Sequence, residues 1–172
     1  MSTLLNPTEA IDTPKFPDQE MATYFSNIGI SYKTIGHQAL FTMEDLEAVK
    51  HLIKGIIPKN LFLKVDKKFV LVCTPESKRI DLKELTKTLN AKKIRFATEE
   101  ELFDNLKIKK GSVSIYCLIN NPGIPVYLDQ SIWDAEITAF HPNNNEFTLE
   151  VDHQNFEKYW NSLPNPKQII NS

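Results

Sequence analysis

The segment Lys59-Asn60-Leu61-Phe62-Leu63-Lys64-Val65-Asp66-Lys67-Lys68-Phe69-Val70-Leu71-Val72-Cys73-Thr74 reads as two strands folded back on each other. Residues 60–65 and 69–74 are rich in strand formers, and the polar turn Asp66-Lys67-Lys68 separates them. Lys59 opens the first strand. Its stem then lies against apolar neighbours and its ammonium is partly desolvated, so it can orient a carbonyl or an anion. The alternative is a lysine at a strand entrance that snorkels to water.

Outward from this hairpin the pattern alternates helices and short strands. On the N-terminal side, a helix begins near Asp18, carries Met21, Tyr24, Phe25 and Ile28 on one face, and ends at Gly29. Residues 30–35 read as a strand. Thr42 caps a second helix with Asp45 three residues on, and Leu46, Val49 and Ile53 form its buried stripe. On the C-terminal side, Asp81 with Glu84 and Thr98 with Glu101 give two further helix starts around a short strand at 94–97. The longest apolar run, residues 113–119, is expected as a strand that turns at Asn120-Asn121-Pro122-Gly123 into a partner at 124–128. Strands at 137–140 and 147–151 precede a last helix capped by Asp152 and holding Phe156, Tyr159 and Trp160, and the tail after Pro164 adds an edge strand. Hairpins interleaved with helices predict an α+β fold: one domain with a mixed, largely antiparallel sheet and helices packed around it. Residues 1–17, with Pro7, Pro14 and Pro17, read as a flexible leader, and 18–172 as the domain.

Composition narrows the function. The chain has 172 residues, 41% of them hydrophobic, enough for one sizeable core. A formal charge of -2 provides no global field for nucleic acid. Most lysines and arginines nevertheless fall between Lys50 and Lys110, a local excess that suits either a few phosphate contacts or solvated helix faces. The two cysteines, Cys73 and Cys117, sit in apolar runs without a CxxC partner and read as core residues. The four histidines, His37, His51, His141 and His153, have no metal-site spacing, so neither a metal nor a cofactor is expected. The N-terminal segment lacks the basic start and apolar core of a signal peptide, and no apolar stretch is long enough to span a bilayer; a cytoplasmic protein is the expectation.

Three segments carry candidate chemistry. Lys59 is the first. Gly111-Ser112-Val113 is the second: a glycine lets backbone amides approach a ligand, or it supplies a turn with positive φ, and Ser112 adds a hydroxyl donor or caps the strand entrance. Phe140-His141-Pro142 is the third; proline restricts the backbone of His141, which can hydrogen-bond a ligand or be satisfied by a neighbouring carbonyl. Asn145, within Asn143-Asn144-Asn145, is first of all a turn residue. Met43 and Leu46 lie three apart on the second helix and face the same way. There is no nucleophile elbow, Cys-His pair or glycine-rich phosphate loop.

Taken together, these segments resemble the prolyl-tRNA synthetase-associated editing domains, in the free-standing form that deacylates Ala-tRNA(Pro). The resemblance runs from about Met21 to Ile170 and includes Gly36-His37, Phe41-Thr42, Lys59-Asn60-Leu61-Phe62-Leu63, Asp81-Leu82-Lys83, Arg95-Phe96-Ala97, Gly111-Ser112-Val113, Leu118-Ile119-Asn120, Leu128-Asp129 and Phe140-His141-Pro142. It implies hydrolysis of the ester between an amino acid and the terminal adenosine of tRNA. Lys59, Gly111, Ser112 and His141 would serve the reaction. Met43, Leu46, Asn60 and Asn145 would contact the substrate, and Lys64 and Lys93 would lie near the acceptor stem. The implied partner is aminoacylated tRNA(Pro), with prolyl-tRNA synthetase a second candidate; the sequence leaves the oligomeric state open, with a monomer favoured. The family pattern Gly-Ser-Val-Thr-Pro-Phe-Gly is replaced by Gly111-Ser112-Val113-Ser114-Ile115-Tyr116-Cys117, and the usual His-Thr before the lysine by Ile57-Pro58. Both departures bear on substrate preference. Two rival readings follow: a deacylase for another small aminoacyl-tRNA, and a non-catalytic tRNA- or synthetase-binding module.

Overall fold

In the computed structural model, which describes residues 19–172, helix α1 (Gln19–Ile28) leads through strand β1 (Lys33–Gly36) and helix α2 (Met43–Val49) to a 3-10 turn over Lys50–Leu52. Strands β2 (Pro58–Val65) and β3 (Lys68–Pro75) come next, then helix α3 (Leu82–Thr88), strand β4 (Ile94–Phe96) and helix α4 (Glu99–Leu106). A 3-10 helix over Ile115–Asn120 precedes β5 (Val126–Asp129), the one-turn α5 (Gln130–Trp133), β6 (Ile137–Phe140), β7 (Phe147–Asp152), α6 (His153–Ser162) and β8 (Lys167–Ile170). The leader at 1–17 and the Asp18 cap fall outside the described residues.

The expected hairpin is β2 and β3, and its alternation sets both faces. Leu61, Leu63, Val70 and Val72 pack with Leu85 of α3 on one side. Phe62, Leu71 and Cys73 join the main core on the other. The turn is tighter than the sequence suggests: Val65 pairs with Lys68, and Asp66 takes φ 55°, a conformation that two-residue hairpin loops require.

The α+β class holds, but the strands divide into two sheets rather than one. A five-stranded mixed sheet has the order β4-β2-β3-β5-β8, with β5 parallel to both its neighbours. A three-stranded antiparallel sheet has the order β1-β7-β6. They are joined at Ile56, whose N–H donates to Ile137 O at 2.9 Å and whose carbonyl accepts from Ala139 N at 3.0 Å. Alternation reveals which face of a strand is buried, not which sheet it joins.

Most helix starts follow the sequence. Thr42 with Asp45 and Thr98 with Glu101 form reciprocal capping boxes, and Asp152 accepts from Asn155 N at 2.8 Å. Each such cap contributes about 1 kcal/mol. Asp81 caps α3 through Lys83 N, while Glu84 turns away to Lys87. The strand expected at 30–35 forms later, at Lys33–Gly36.

One expectation is overturned. The run 113–119 is no strand, and the hairpin with 124–128 does not exist. Ser114 Oγ instead accepts from Tyr116 N and caps a 3-10 helix in which Ile115, Tyr116, Cys117 and Leu118 have no exposed surface. A segment buried on every side shows no periodicity, so its apolar run cannot distinguish strand from helix. The turn asparagines are used differently too. Asn120 and Asn121 donate to the Leu106 and Asn105 carbonyls at the end of α4, satisfying groups that a helix terminus leaves open. Tyr116 thereby centres an aromatic cluster, with ring centroids 5.0 Å from Phe25, 4.9 Å from Tyr159 and 5.7 Å from Phe140. Both cysteines are buried core thiols, and burial pushes the Cys117 thiol up to about 12.

Gly55 protects the junction between the sheets. At φ 91° a β-carbon there would lie 2.4 Å from Ile137 O, the atom that accepts from Ile56. Gly55→Ala is therefore expected to destabilise the fold by about 1–3 kcal/mol, measured by urea unfolding. A change below about 0.5 kcal/mol, the range of ordinary surface substitutions, would show that the junction tolerates displacement.

Candidate active site

Helix α2 and the three-stranded sheet enclose a cavity of about 240 Å³. The capping box fixes the approach: Asp45 Oδ2 accepts from Phe41 N at 2.9 Å and Thr42 N at 3.0 Å, while Asp45 N donates to Thr42 Oγ1 at 3.1 Å. Those backbone donors hold the Asp45 carboxyl below its usual pKa. The first turn of α2 places Met43 and Leu46 along the cavity; their spacing predicts only that they face the same way. Leu46 is 9% exposed and forms wall, whereas Met43 is 53% exposed and forms rim. Ile57 closes the strand side, and Ala139, His141 and Thr148 close the sheet side.

His141 is half-buried, with Nδ1 3.0 Å from Phe147 O. A carbonyl only accepts, so Nδ1 carries the proton and Nε2 keeps its lone pair. The same logic fixes His37: Nδ1 donates to Gln38 O at 2.7 Å, and Nε2 accepts from Thr148 Oγ1 at 2.8 Å. The two rings lie 6.3 Å apart. Burial lowers both pKa values, and the Coulombic influence of His37 lowers that of His141 further. Both imidazoles are therefore neutral near pH 7. The sequence reading did not single out His37 or Thr148 as site residues. The polar-apolar pattern of β1 and β7 contains no signal that they meet, and only the register between those strands, Ile35 opposite Thr148, brings them together.

A second cavity, of about 500 Å³, adjoins the first. Asn60 and Gly111 line it. Gly111 has φ 89°, so its turn demands glycine, and a β-carbon there would stand 3.5 Å from Phe41 Cδ1 and 3.6 Å from Asn145 Nδ2. The glycine thus separates the two cavities. Ser112 N is spent on Lys109 O at 3.1 Å, within the turn. Asn145 ties the loop after β6 to the approach of α2: Nδ2 donates to Leu40 O at 3.3 Å, and its carbonyl accepts from Leu40 N at 3.1 Å.

Lys59 lines neither cavity. Its ammonium donates to Lys78 O at 3.2 Å, and among the described residues it has no carboxylate partner. The two residues just before Lys59, Ile57 and Pro58, do line the first cavity, while the ammonium itself is held by the Lys78 carbonyl. Lys64 and Lys93 line neither cavity. They stand at the hairpin end with Lys67, Lys68 and Lys92, about 16 Å along β2 from Lys59 at the usual rise per residue. Lys64 lies over the Phe69 ring, 5.4 Å from its centroid. Lys93 is exposed beside Asp66, which holds the Lys93 N–H. The neighbouring Arg95 is fixed by a two-pronged pair with Glu101 at 2.8 Å, and that pair, with the Thr98 amide, brings the Glu101 pKa down to about 2. Among the described residues no group of three His, Cys, Asp or Glu side chains is placed to hold a metal ion.

The arrangement brings together an apolar cavity, a neutral imidazole and a glycine turn, with the Lys59 ammonium outside the cavity on a carbonyl. Comparison with known proteins identifies its family. Residues 37–159 match the aminoacyl-tRNA editing domain family. The chain is 31% identical over 144 residues to the prolyl-tRNA editing protein ProX of Acetoanaerobium sticklandii, covering 81% of this chain and 88% of that protein. It is 28% identical over 138 residues to prolyl-tRNA synthetase associated domain-containing protein 1 of Danio rerio, covering 77% and 75%. It is also 26% identical to proline–tRNA ligase of Chlamydia muridarum, where the match covers 79% of this chain and 23% of the ligase. A solved structure described as a candidate trans-editing enzyme for prolyl tRNA synthetase shares the fold, with a TM-score of 0.67 at 17% identity over 92% of this chain and 98% of that one. The chain belongs to the aminoacyl-tRNA editing domain family.

Proposed function

We propose that the chain is a free-standing trans-editing deacylase that hydrolyses mischarged tRNA(Pro), with alanine the amino acid removed. The observation that carries this reading is the apolar cavity walled by Leu46 and Ile57 and lined by His141, whose Nδ1 is committed to a carbonyl and whose Nε2 keeps its lone pair. The aminoacyl ester is already activated. The protein must bring water to it, steady the developing oxyanion and exclude the correct amino acid. His141 Nε2 accepts a proton from the attacking water or holds the terminal ribose. The Gly111 turn presents backbone, and its N–H has no acceptor among the described residues.

Lys59 reaches the ester by leaving the Lys78 carbonyl and turning past Pro58. One neutral-acceptor hydrogen bond contributes only about 0.5–1.5 kcal/mol net, or somewhat more to a charged donor, and no carboxylate restrains the ammonium. Selection works by exclusion, because one methylene supplies only about 1–3 kcal/mol of attraction. Lys64 and Lys93, with the other lysines of the hairpin end, contact acceptor-stem phosphates. The similarity to part of a proline–tRNA ligase supports prolyl-tRNA synthetase as a working partner. Within the described residues no helix is long and apolar enough to cross a membrane.

Three outcomes test the reading. Lys59→Ala should lower single-turnover deacylation of Ala-tRNA(Pro) by about 100- to 1000-fold, the size of effect seen when one donor to the developing oxyanion is removed, while unfolding like the parent. Near-parental turnover would remove Lys59 from the mechanism.

The pH profile reports on His141. Its pKa is depressed below the unfolded value of about 6.5, so activity should fall as pH drops through that lower pKa. The unfolded chain binds more protons in this range, so stability also declines with acidification and must be checked at each pH. His141→Ala should lose this acid limb, and an identical limb in the variant would assign it to another group.

Met43→Ala with Leu46→Ala should let Pro-tRNA(Pro) become a substrate while Ala-tRNA(Pro) is cleaved no faster. Leu46, the buried one of the two, costs about 2–5 kcal/mol in stability. A folded double variant that still spares Pro-tRNA(Pro) would locate selectivity outside α2.

A further inference from the structure

We propose that Glu150 is a positioning residue for the amino-acid cavity: its carboxylate pins the strap that forms the strand-side wall, and so sets the size limit by which the cavity excludes proline. This rests on the deacylase reading and adds to it the residue that holds the wall in place.

The strap is the stretch from Ile53 to Ile57. Its two ends, Ile53 and Ile57, line the cavity together with Ala139 and Thr148 of the three-stranded sheet. Its middle meets that sheet at Ile56, through the hydrogen bonds to Ile137 O and from Ala139 N. Glu150 supplies a second point of attachment. It stands in β7, the central strand, with Ala139 opposite on one side and Lys33 on the other. Its side chain shares a face with that of Thr148, two residues back along the strand. From that face Oε2 accepts from Lys54 N at 2.6 Å. The strap is thus tied to the sheet on both sides of Gly55, at Lys54 and at Ile56, and the two isoleucines of the wall flank the ties.

The Lys54 amide is the one hydrogen-bond partner of this carboxylate among the described residues. Glu150 is 7% exposed and forms no ion pair there. Burial raises its pKa, against the opposing effects of the Lys54 amide and the charges of Lys33 and Lys54. A carboxylate buried without a paired cation is unfavourable to the fold, and a residue needed only to fill the position would be apolar. What glutamate supplies is an acceptor at the end of a stem long enough to reach from β7 to the strap. Glu150 lies outside the amino-acid cavity, beside a separate cleft that it lines with Lys54 and Ile137. It therefore acts on the substrate through the strap and not by contact.

Two conservative variants separate reach from charge. Glu150→Gln keeps the length and an acceptor oxygen but not the charge. Glu150→Asp keeps the charge but is one methylene shorter, which withdraws the acceptor beyond the roughly 3.2 Å limit of a good N–H···O bond. In single-turnover cleavage of Ala-tRNA(Pro) and Pro-tRNA(Pro), Glu150→Gln should show the parental preference for alanine. Glu150→Asp should show a preference about 10-fold or more smaller, because the loosened wall admits proline. Exchange of the Lys54 amide with solvent deuterium, followed by NMR, should be slow in the parent and in Glu150→Gln and fast in Glu150→Asp. A parental preference in Glu150→Asp, or an equal loss in both variants, overturns the proposal and leaves the deacylase reading standing. If the parent cleaves neither ester, the deacylase reading falls and the exchange rates decide the role of Glu150: the expected order keeps the pin, and equal rates in all three proteins remove it.

Discussion

Two hydrogen bonds at Ile56 hold the candidate site together. They join the five-stranded sheet, which carries Lys59 and Asn60, to the three-stranded sheet, which leads into His141. Ile56 lies two residues before β2, and Ala139 two residues before His141, so the bridge sets the separation of these groups with little chain left to flex. Gly55 makes the approach possible by having no β-carbon to meet Ile137 O. Helix α2, closing the cavity from the other side, is anchored by Leu46 and Val49 in a small cluster with Leu40. The cavity is thus a consequence of how two sheets meet, not of any single element.

The electrostatics of the site are restrained. Its two histidines are neutral, its walls are apolar, and its cation rests on a carbonyl outside the cavity. An activated ester needs no more. Water must be positioned and charge stabilised as it develops, and both are stronger where bulk solvent is excluded. The strongly paired charges lie elsewhere. Asp129, buried beneath Lys78, is held by Ser131 and Ser172, and despite burial, which alone would raise it, these donors bring its pKa down to about 2. Arg95 and Glu101 brace the start of α4. These pairs fix the scaffold, and among the described residues Lys59 has no anionic partner.

Much of this was legible in the residues. The β2–β3 hairpin follows from alternation around a charged turn, and four helix starts follow from Thr42, Asp81, Thr98 and Asp152, because caps are local interactions. The run 113–119 misled because complete burial erases periodicity, and its turn-like asparagines serve the end of α4 instead. The division into two sheets was invisible because it rests on one isolated bridge between distant segments. Within the site, Met43, Leu46 and His141 line one cavity; the helix pattern shows that the first two share a face, and nothing local shows that they meet His141. The direction of the Lys59 ammonium depends on the Lys78 carbonyl, and the Thr148–His37 contact on strand register, neither of which leaves a local trace. The replacement of the family's Thr-Pro-Phe-Gly by Ser114-Ile115-Tyr116-Cys117 now has a physical setting: these residues are core, they follow the turn at Gly111, and Tyr116 packs on Phe140 beside His141.

The central claim is that the cavity between α2 and the three-stranded sheet accepts the aminoacyl end of tRNA(Pro) and selects by size. Its most direct test is a single-turnover comparison of Ala-tRNA(Pro) and Pro-tRNA(Pro) with the unmodified protein in excess. The account predicts rapid release of alanine and persistence of the prolyl ester; equal cleavage of both, or cleavage of neither, would contradict it.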